Sequence, residues 1–146
     1  MTINENQNII IKEMSGLEDW LDKYKYIIKS GKSLKTLDQK YHTDEYSISG
    51  CQSVVYLYAE LIDNKISFQG YSDAKITKGI LALLLRVLNH QAPKDIVDAD
   101  LYFIEKIGLS SNLSPSRTNG LYSIIKQIQH YGNEFSYDLR THSLLL

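Results

Sequence analysis

The chain has 146 residues, of which 43% are apolar and 23% charged, and its formal net charge is -1. A chain of that length makes one domain that buries roughly two-thirds of its unfolded surface. No Lys- or Arg-rich cluster offers nucleic acid a basic face. The longest aliphatic run, Ile80 to Leu85, is far short of the ~20 residues that span a bilayer.

Residues 1–13 are polar and expected to be frayed. They hold no basic segment followed by an apolar stretch, so no signal peptide is read. Leu17, Trp20, Leu21, Tyr24, Ile27 and Ile28 recur at helical steps and predict an amphipathic helix, with Gly31 as its stop. Residues 32–45 read as a polar loop. Tyr46-Ser47-Ile48 suggests a short strand leading to Cys51. Strict alternation from Val54 to Leu61 predicts a strand with Val55, Leu57, Ala59 and Leu61 on one side. Asp63-Asn64 suits a tight hairpin, with Lys65 to Tyr71 as the return strand.

Ser72-Asp73 reads as the cap of a helix reaching about Leu88. Ala92-Pro93 opens a short helix, since proline suits the first helical position. A further helix is expected from about Ala99 to Ile107, stopping at Gly108. Ser114-Pro115 opens the last, with Leu121, Ile124, Ile125 and Ile128 inward and an end near Gly132; residues 133–146 form an extension without a clean period. Strands early and helices late make an α+β fold, a small antiparallel sheet of about three strands packed against several helices in a single domain.

Cys51 is the only cysteine, which excludes an internal disulfide and a three- or four-cysteine metal site within one chain. A free thiol fits a reducing cytoplasm. By residue type alone a lone cysteine is a small buried hydrophobe. Here Gly50 removes a Cβ beside the sulfur, Gln52 and Ser53 are polar, and the apolar run starts only afterwards, which together favour a reactive thiol. At a reference pKa of about 8.5, only about 3% is thiolate at pH 7, so a reactive sulfur needs a positive neighbour. Arg117, in the first turn of the last helix, is either a solvated charge or, if that turn faces Cys51, a cation favouring the anion. Asp73 is either an N-cap or a group that holds the cysteine loop. Gly120, costly inside a helix, implies close backbone packing or simple tolerance. Tyr56 and Tyr58 belong to a second packed layer or to a binding surface. His42, His90, His130 and His142 are scattered, so a Cys-His pair is open only through the fold.

Three ordered blocks now carry a resemblance: Gly50-Cys51-Gln52-Ser53 before an apolar strand, Ser72-Asp73-Ala74 before Lys78-Gly79-Ile80-Leu81-Ala82-Leu83-Leu84, and Leu113-Ser114-Pro115-Ser116-Arg117-Thr118-Asn119-Gly120-Leu121. From about Tyr24 to Gly132 the chain resembles the SufE-like cysteine desulfuration proteins, with a SufE/IscU-like fold. The resemblance implies that Cys51 accepts sulfur from the persulfide of a SufS-like cysteine desulfurase and relays it to a SufBCD-like iron–sulfur scaffold. It implies that Arg117 stabilises the thiolate and Asp73 positions the loop. Pyridoxal phosphate belongs to the desulfurase, and no cofactor or metal site is read in this chain. The expected state is a monomer or weak homodimer, without nucleic-acid or membrane partners. Where many relatives have Val-Pro before the glycine, this chain has Ile48-Ser49, which implies a more flexible loop. Rival readings are a CsdE-like relay to another pathway such as tRNA modification, a stand-alone cysteine hydrolase, which needs a histidine near the sulfur, and an iron-binding scaffold, which needs more sulfur ligands.

Overall fold

The computed structural model describes residues 1–145, with side chains described through residue 142. Its first element corrects the expectation of a frayed start: α1 spans Ile3–Ser15. Thr2 and Glu5 close a capping box, with Glu5 N–H donating to Thr2 Oγ1 at 3.1 Å and Thr2 N–H donating to Glu5 Oε1 at 3.2 Å. Ile3, Gln7, Ile10 and Met14 form its buried stripe. Gln7 is fully buried and ties α1 to residues 100–103, donating to Asp100 O and accepting from Phe103 N–H, both at 3.0 Å. Gln7→Ala leaves that buried N–H without a partner, so it is expected to destabilise the fold by roughly 2 kcal/mol. The check is a lower urea midpoint at unchanged slope.

The second helix, α2, spans Trp20–Gly31 and is capped by Asp19, whose carboxylate accepts from Leu21 N–H at 3.0 Å. The expected stripe is only partly buried: Ile27 is inside, while Leu21 is 56% exposed. The helix ends at Gly31 as expected, though not through a left-handed turn. A Cβ there would lie 3.0 Å from the Gly79 backbone nitrogen, so this glycine lets α2 cross the helix that carries Gly79 closely.

Strands β1 (Val55–Ile62) and β2 (Lys65–Ser72) pair antiparallel from Ile62↔Lys65 to Val55↔Ser72. Both turn residues, Asp63 and Asn64, have positive φ, 52° and 64°, as a type I′ hairpin requires. The expected third strand shrinks to a single bridge, Ser47↔Tyr56, with Ile48 N–H donating to Val55 O. The sheet is therefore two-stranded, and the α+β order stands. One sheet face packs on helices. The segment with 3₁₀ turns at Gln39–Tyr41 and Asp44–Tyr46 covers the other. Tyr41 stacks on Tyr58 with ring centres 3.8 Å apart, and the His42 ring lies 4.9 Å from that of Tyr56 and 4.7 Å from that of Tyr71. Tyr56 and Tyr58 thus serve a second packed layer.

Helix α3 (Lys75–Leu88) is the central helix, with Ile76, Ile80, Leu83, Leu84 and Val87 buried. Ala74 is its N-cap residue and no side chain caps it, so Ser72-Asp73 does not play the expected part. Helix α4 is Pro93–Asp98, opened by proline as expected. The helix expected from Ala99 is reduced to α5, Phe103–Lys106, followed by α6, Leu109–Asn112, which begins after Gly108 with its φ of 74°. Helix α7 spans Pro115–Leu145. It does not stop near Gly132: a Cβ on that glycine would lie 3.1 Å from Val97 Cγ2, so Gly132 is a contact with α4. The expected extension continues this helix, apart from its last residue, which lies outside the described residues. No helix among the described residues is long and apolar enough to cross a membrane.

Candidate functional site: a shielded thiol between two helices

The loop from Ser49 to Val54 joins the Ser47 bridge to β1 and is braced by the first turns of α3 and α7. Gly50 turns it with φ of +83°, and a Cβ there would sit 2.7 Å from Ser123 Oγ on α7. Side chains rarely adopt that φ, which selects glycine here; the Ser123 hydroxyl can rotate aside. Cys51 follows, half-buried. Its Sγ lies 3.7 Å from Gly120 O, and a Cβ on Gly120 would come within 3.7 Å of the same sulfur. That is ordinary van der Waals distance, so Gly120 borders the cysteine loop but has room for a Cβ, and of its two readings simple tolerance fits better.

The structure brings Arg117 to the same place. Ser114 caps α7 by accepting from Arg117 N–H at 3.3 Å, and Pro115 opens the helix. The guanidinium turns inward, with Nη1 donating to Thr77 Oγ1 at 2.8 Å and to Ser53 Oγ at 3.2 Å. Ser53 Oγ donates in turn to Thr77 Oγ1 at 3.1 Å. Asp73 acts on the other side of the loop: its carboxylate accepts from Val54 N–H at 3.0 Å, and its own N–H donates to Val54 O at 3.4 Å. This two-way clamp fixes the exit of the cysteine loop, while Ser72 Oγ accepts from Ala74 N–H at 3.3 Å.

Two opposed effects set the state of the sulfur. Burial pushes the Cys51 thiol above its ordinary value, and the nearby Arg117 charge pulls it back by less. At rest the sulfur is therefore a protonated thiol. Arg117 limits the cost of ionisation without overcoming burial. The cavity around Sγ, lined by Thr77, Ile80, Arg117 and Leu121 among others, is only about 10 Å³, scarcely one water molecule. No histidine lines it among the described residues; His42 lies in the aromatic layer on the outer sheet face. The cysteine-hydrolase reading thus lacks the imidazole it needs.

Sequence reasoning missed Thr77, which is 5% exposed. A threonine in the first turn of a helix reads as an ordinary helix-start residue. Its two bonds to other elements arise only when α3, α7 and the cysteine loop meet.

Fold and site together define an α+β domain that presents one partly shielded thiol, braced by two helices and facing a guanidinium. The family model for SufE, described as an Fe-S metabolism associated domain, matches residues 8–132. An uncharacterized SufE-like protein of Synechocystis is 37% identical over 128 residues, covering 88% of this chain and 80% of that protein. One from Rhizobium etli is 39% identical, covering 82% of this chain and 84% of that protein. The solution structure of a hypothetical protein from Thermus thermophilus shares the fold, with a TM-score of 0.75 at 15% identity, covering 90% of this chain and 96% of that one. The chain belongs to the SufE family, whose role is sulfur transfer in partnership with cysteine desulfurases.

Proposed function

We propose that Cys51 is the sulfur acceptor, taking sulfane sulfur from the persulfide of a cysteine desulfurase and passing it to an iron–sulfur cluster scaffold. The carrying observation is the position of the sole thiol. It sits in a loop turned by Gly50, against Gly120, with Arg117 as the one charged side chain lining its cavity among the described residues.

In the transfer step the Cys51 thiolate attacks the outer sulfur of the donor persulfide. A new S–S bond forms on Cys51 as the donor S–S bond breaks, and the electron pair leaves on the donor's cysteine sulfur. The step is a thiol–disulfide exchange with no net change in oxidation, so it depends on thiolate fraction and on access. Both are low at rest, because the sulfur is half-buried and protonated. Docking of the donor must therefore release the loop between its hinge at Gly50 and its clamp at Asp73. Exposure removes the larger, opposing effect and leaves the Arg117 charge to favour the thiolate. A free thiol with this task belongs in a reducing compartment, and we assign the protein to the cytoplasm.

The test is mass spectrometry after incubation with a pyridoxal-phosphate cysteine desulfurase and free cysteine. The expected result is a gain of about 32 Da on the Cys51 peptide, reversed by reductant, as one added sulfur requires. An unmodified Cys51 peptide in the presence of a loaded donor would overturn the assignment.

A further inference from the structure

The guanidinium beside the thiol is held in an unusual way for a half-buried charge. Ion pairs among the described residues join Arg86 to Glu13, Lys94 to Asp98 and His130 to Glu134, and none involves Arg117. Its Nη1 is instead held by two neutral oxygens, Thr77 Oγ1 at 2.8 Å and Ser53 Oγ at 3.2 Å. A carboxylate in that place would have fixed the side chain and cancelled its charge together. Hydroxyl oxygens fix it and leave the charge in force.

The two hydroxyls are not equivalent. Ser53 rides on the cysteine loop and moves with it. Thr77 sits on α3, is buried at 5% exposure, and accepts from both Arg117 and Ser53. When the loop leaves, Thr77 alone keeps Arg117 in place. We propose that Thr77 is a positioning residue: from a rigid helix it anchors the Arg117 guanidinium beside Cys51 without neutralising it.

Nothing else facing the sulfur among the described residues competes with this effect. Around the cavity α3 supplies Thr77 and Ile80, and α7 supplies Ser116, Gly120, Leu121 and Ile124, all uncharged. Asp73, at the loop's exit, spends its carboxylate on Val54 N–H. The significance of Thr77 for sulfur transfer rests on the function proposed above, whereas its effect on the thiol does not.

The test is the pH profile of Cys51 alkylation by iodoacetamide, read on the full chain. Thr77→Val removes the hydroxyl at nearly constant shape. It is expected to move the profile to higher pH and slow alkylation at neutral pH by roughly threefold to tenfold, since thiolate fraction falls tenfold per pKa unit. Thr77→Ser restores the wild-type profile. In an Arg117→Gln background Thr77→Val has no further effect, because the route through arginine is already gone. Thermal unfolding confirms that each variant is folded, and Thr77→Ala carries the same test if valine is not accommodated. A folded Thr77→Val or Thr77→Ala protein whose profile matches the wild type or lies at lower pH overturns the proposal, as does an effect undiminished without Arg117. Absent sulfur uptake on Cys51 would defeat the relay while leaving this profile standing. Normal uptake with an unmoved profile would defeat the role of Thr77 alone.

Discussion

Desulfurase turnover in the presence of the Cys51→Ser protein is expected to stay at the rate of the enzyme alone, with all acceptor-dependent stimulation lost. The exchange needs a sulfur nucleophile that becomes an anion near neutral pH, and a serine hydroxyl neither ionises there nor forms a persulfide. The exchange of sulfur for oxygen leaves the fold intact, because Cys51 is half-buried and makes only a weak contact with Gly120 O. Its loop is held by groups that the change does not touch: Gly50, Asp73 and Ser53. The variant should therefore still dock, and in excess it should reduce the stimulation given by wild-type protein. Alanine release measured under limiting reductant reads both effects. Stimulation by Cys51→Ser equal to that of wild type would place the acceptor elsewhere.

How the site could be read in advance differed from residue to residue. Cys51, Arg117 and Asp73 stood out because each belongs to a local pattern with a chemical meaning: a glycine before a thiol, a cation in a capped first turn, and an acid at a strand end. Their distances did not stand out, since loop, α3 and α7 meet only in the fold. Asp73 shows the difference. Its sequence context reads as a helix cap, yet its carboxylate is drawn across to Val54 N–H on the loop it clamps. Thr77 carried no local mark, because a buried threonine and a surface threonine look alike in one sequence.

The fold was legible where period and turn chemistry agreed. Asp63-Asn64 and the alternation around it gave the hairpin its register. The inward residues of α7 were legible from their spacing, Leu121, Ile124, Ile125 and Ile128 all being buried. At the start of the chain, a polar Gln7 inside the buried stripe masked the helical period of α1, although Thr2 and Glu5 already had capping-box spacing. Gly31 and Gly132 were read as helix stops because glycine often ends helices. Gly31 does close α2, and its missing Cβ also serves a close contact with α3; Gly132 lies inside α7, where the missing Cβ serves a contact with α4 instead. Sequence spacing cannot separate those two uses of glycine, as only the second depends on a neighbour distant in the chain.

The same reasoning gives the largest expected loss of stability, at Gly79. Its Cβ would be built into the Ile27 carbonyl, 2.7 Å from the carbonyl carbon and 2.8 Å from Ile27 Cγ2. The obstacle is largely helix backbone, which has no rotamer with which to yield, so α2 and α3 must move apart. Alanine is favoured over glycine within a helix by up to about 1 kcal/mol, but overpacking costs about 1–3 kcal/mol, at the upper end against backbone that cannot yield, and decides the sign. Gly79→Ala is therefore expected to lose about 2 kcal/mol net. In a domain of this size that lowers the melting temperature by roughly 4–8 °C. Gly16→Ala is the matching control: nothing lies within 4 Å of its Cβ position and its φ is -81°, so stability should hold or rise slightly. Because α3 also carries Thr77, two residues before Gly79, forcing α3 away from α2 disturbs the anchor of Arg117 as well. A Gly79→Ala protein that melts with the wild type would mean that the crossing of α2 and α3 has slack these distances deny.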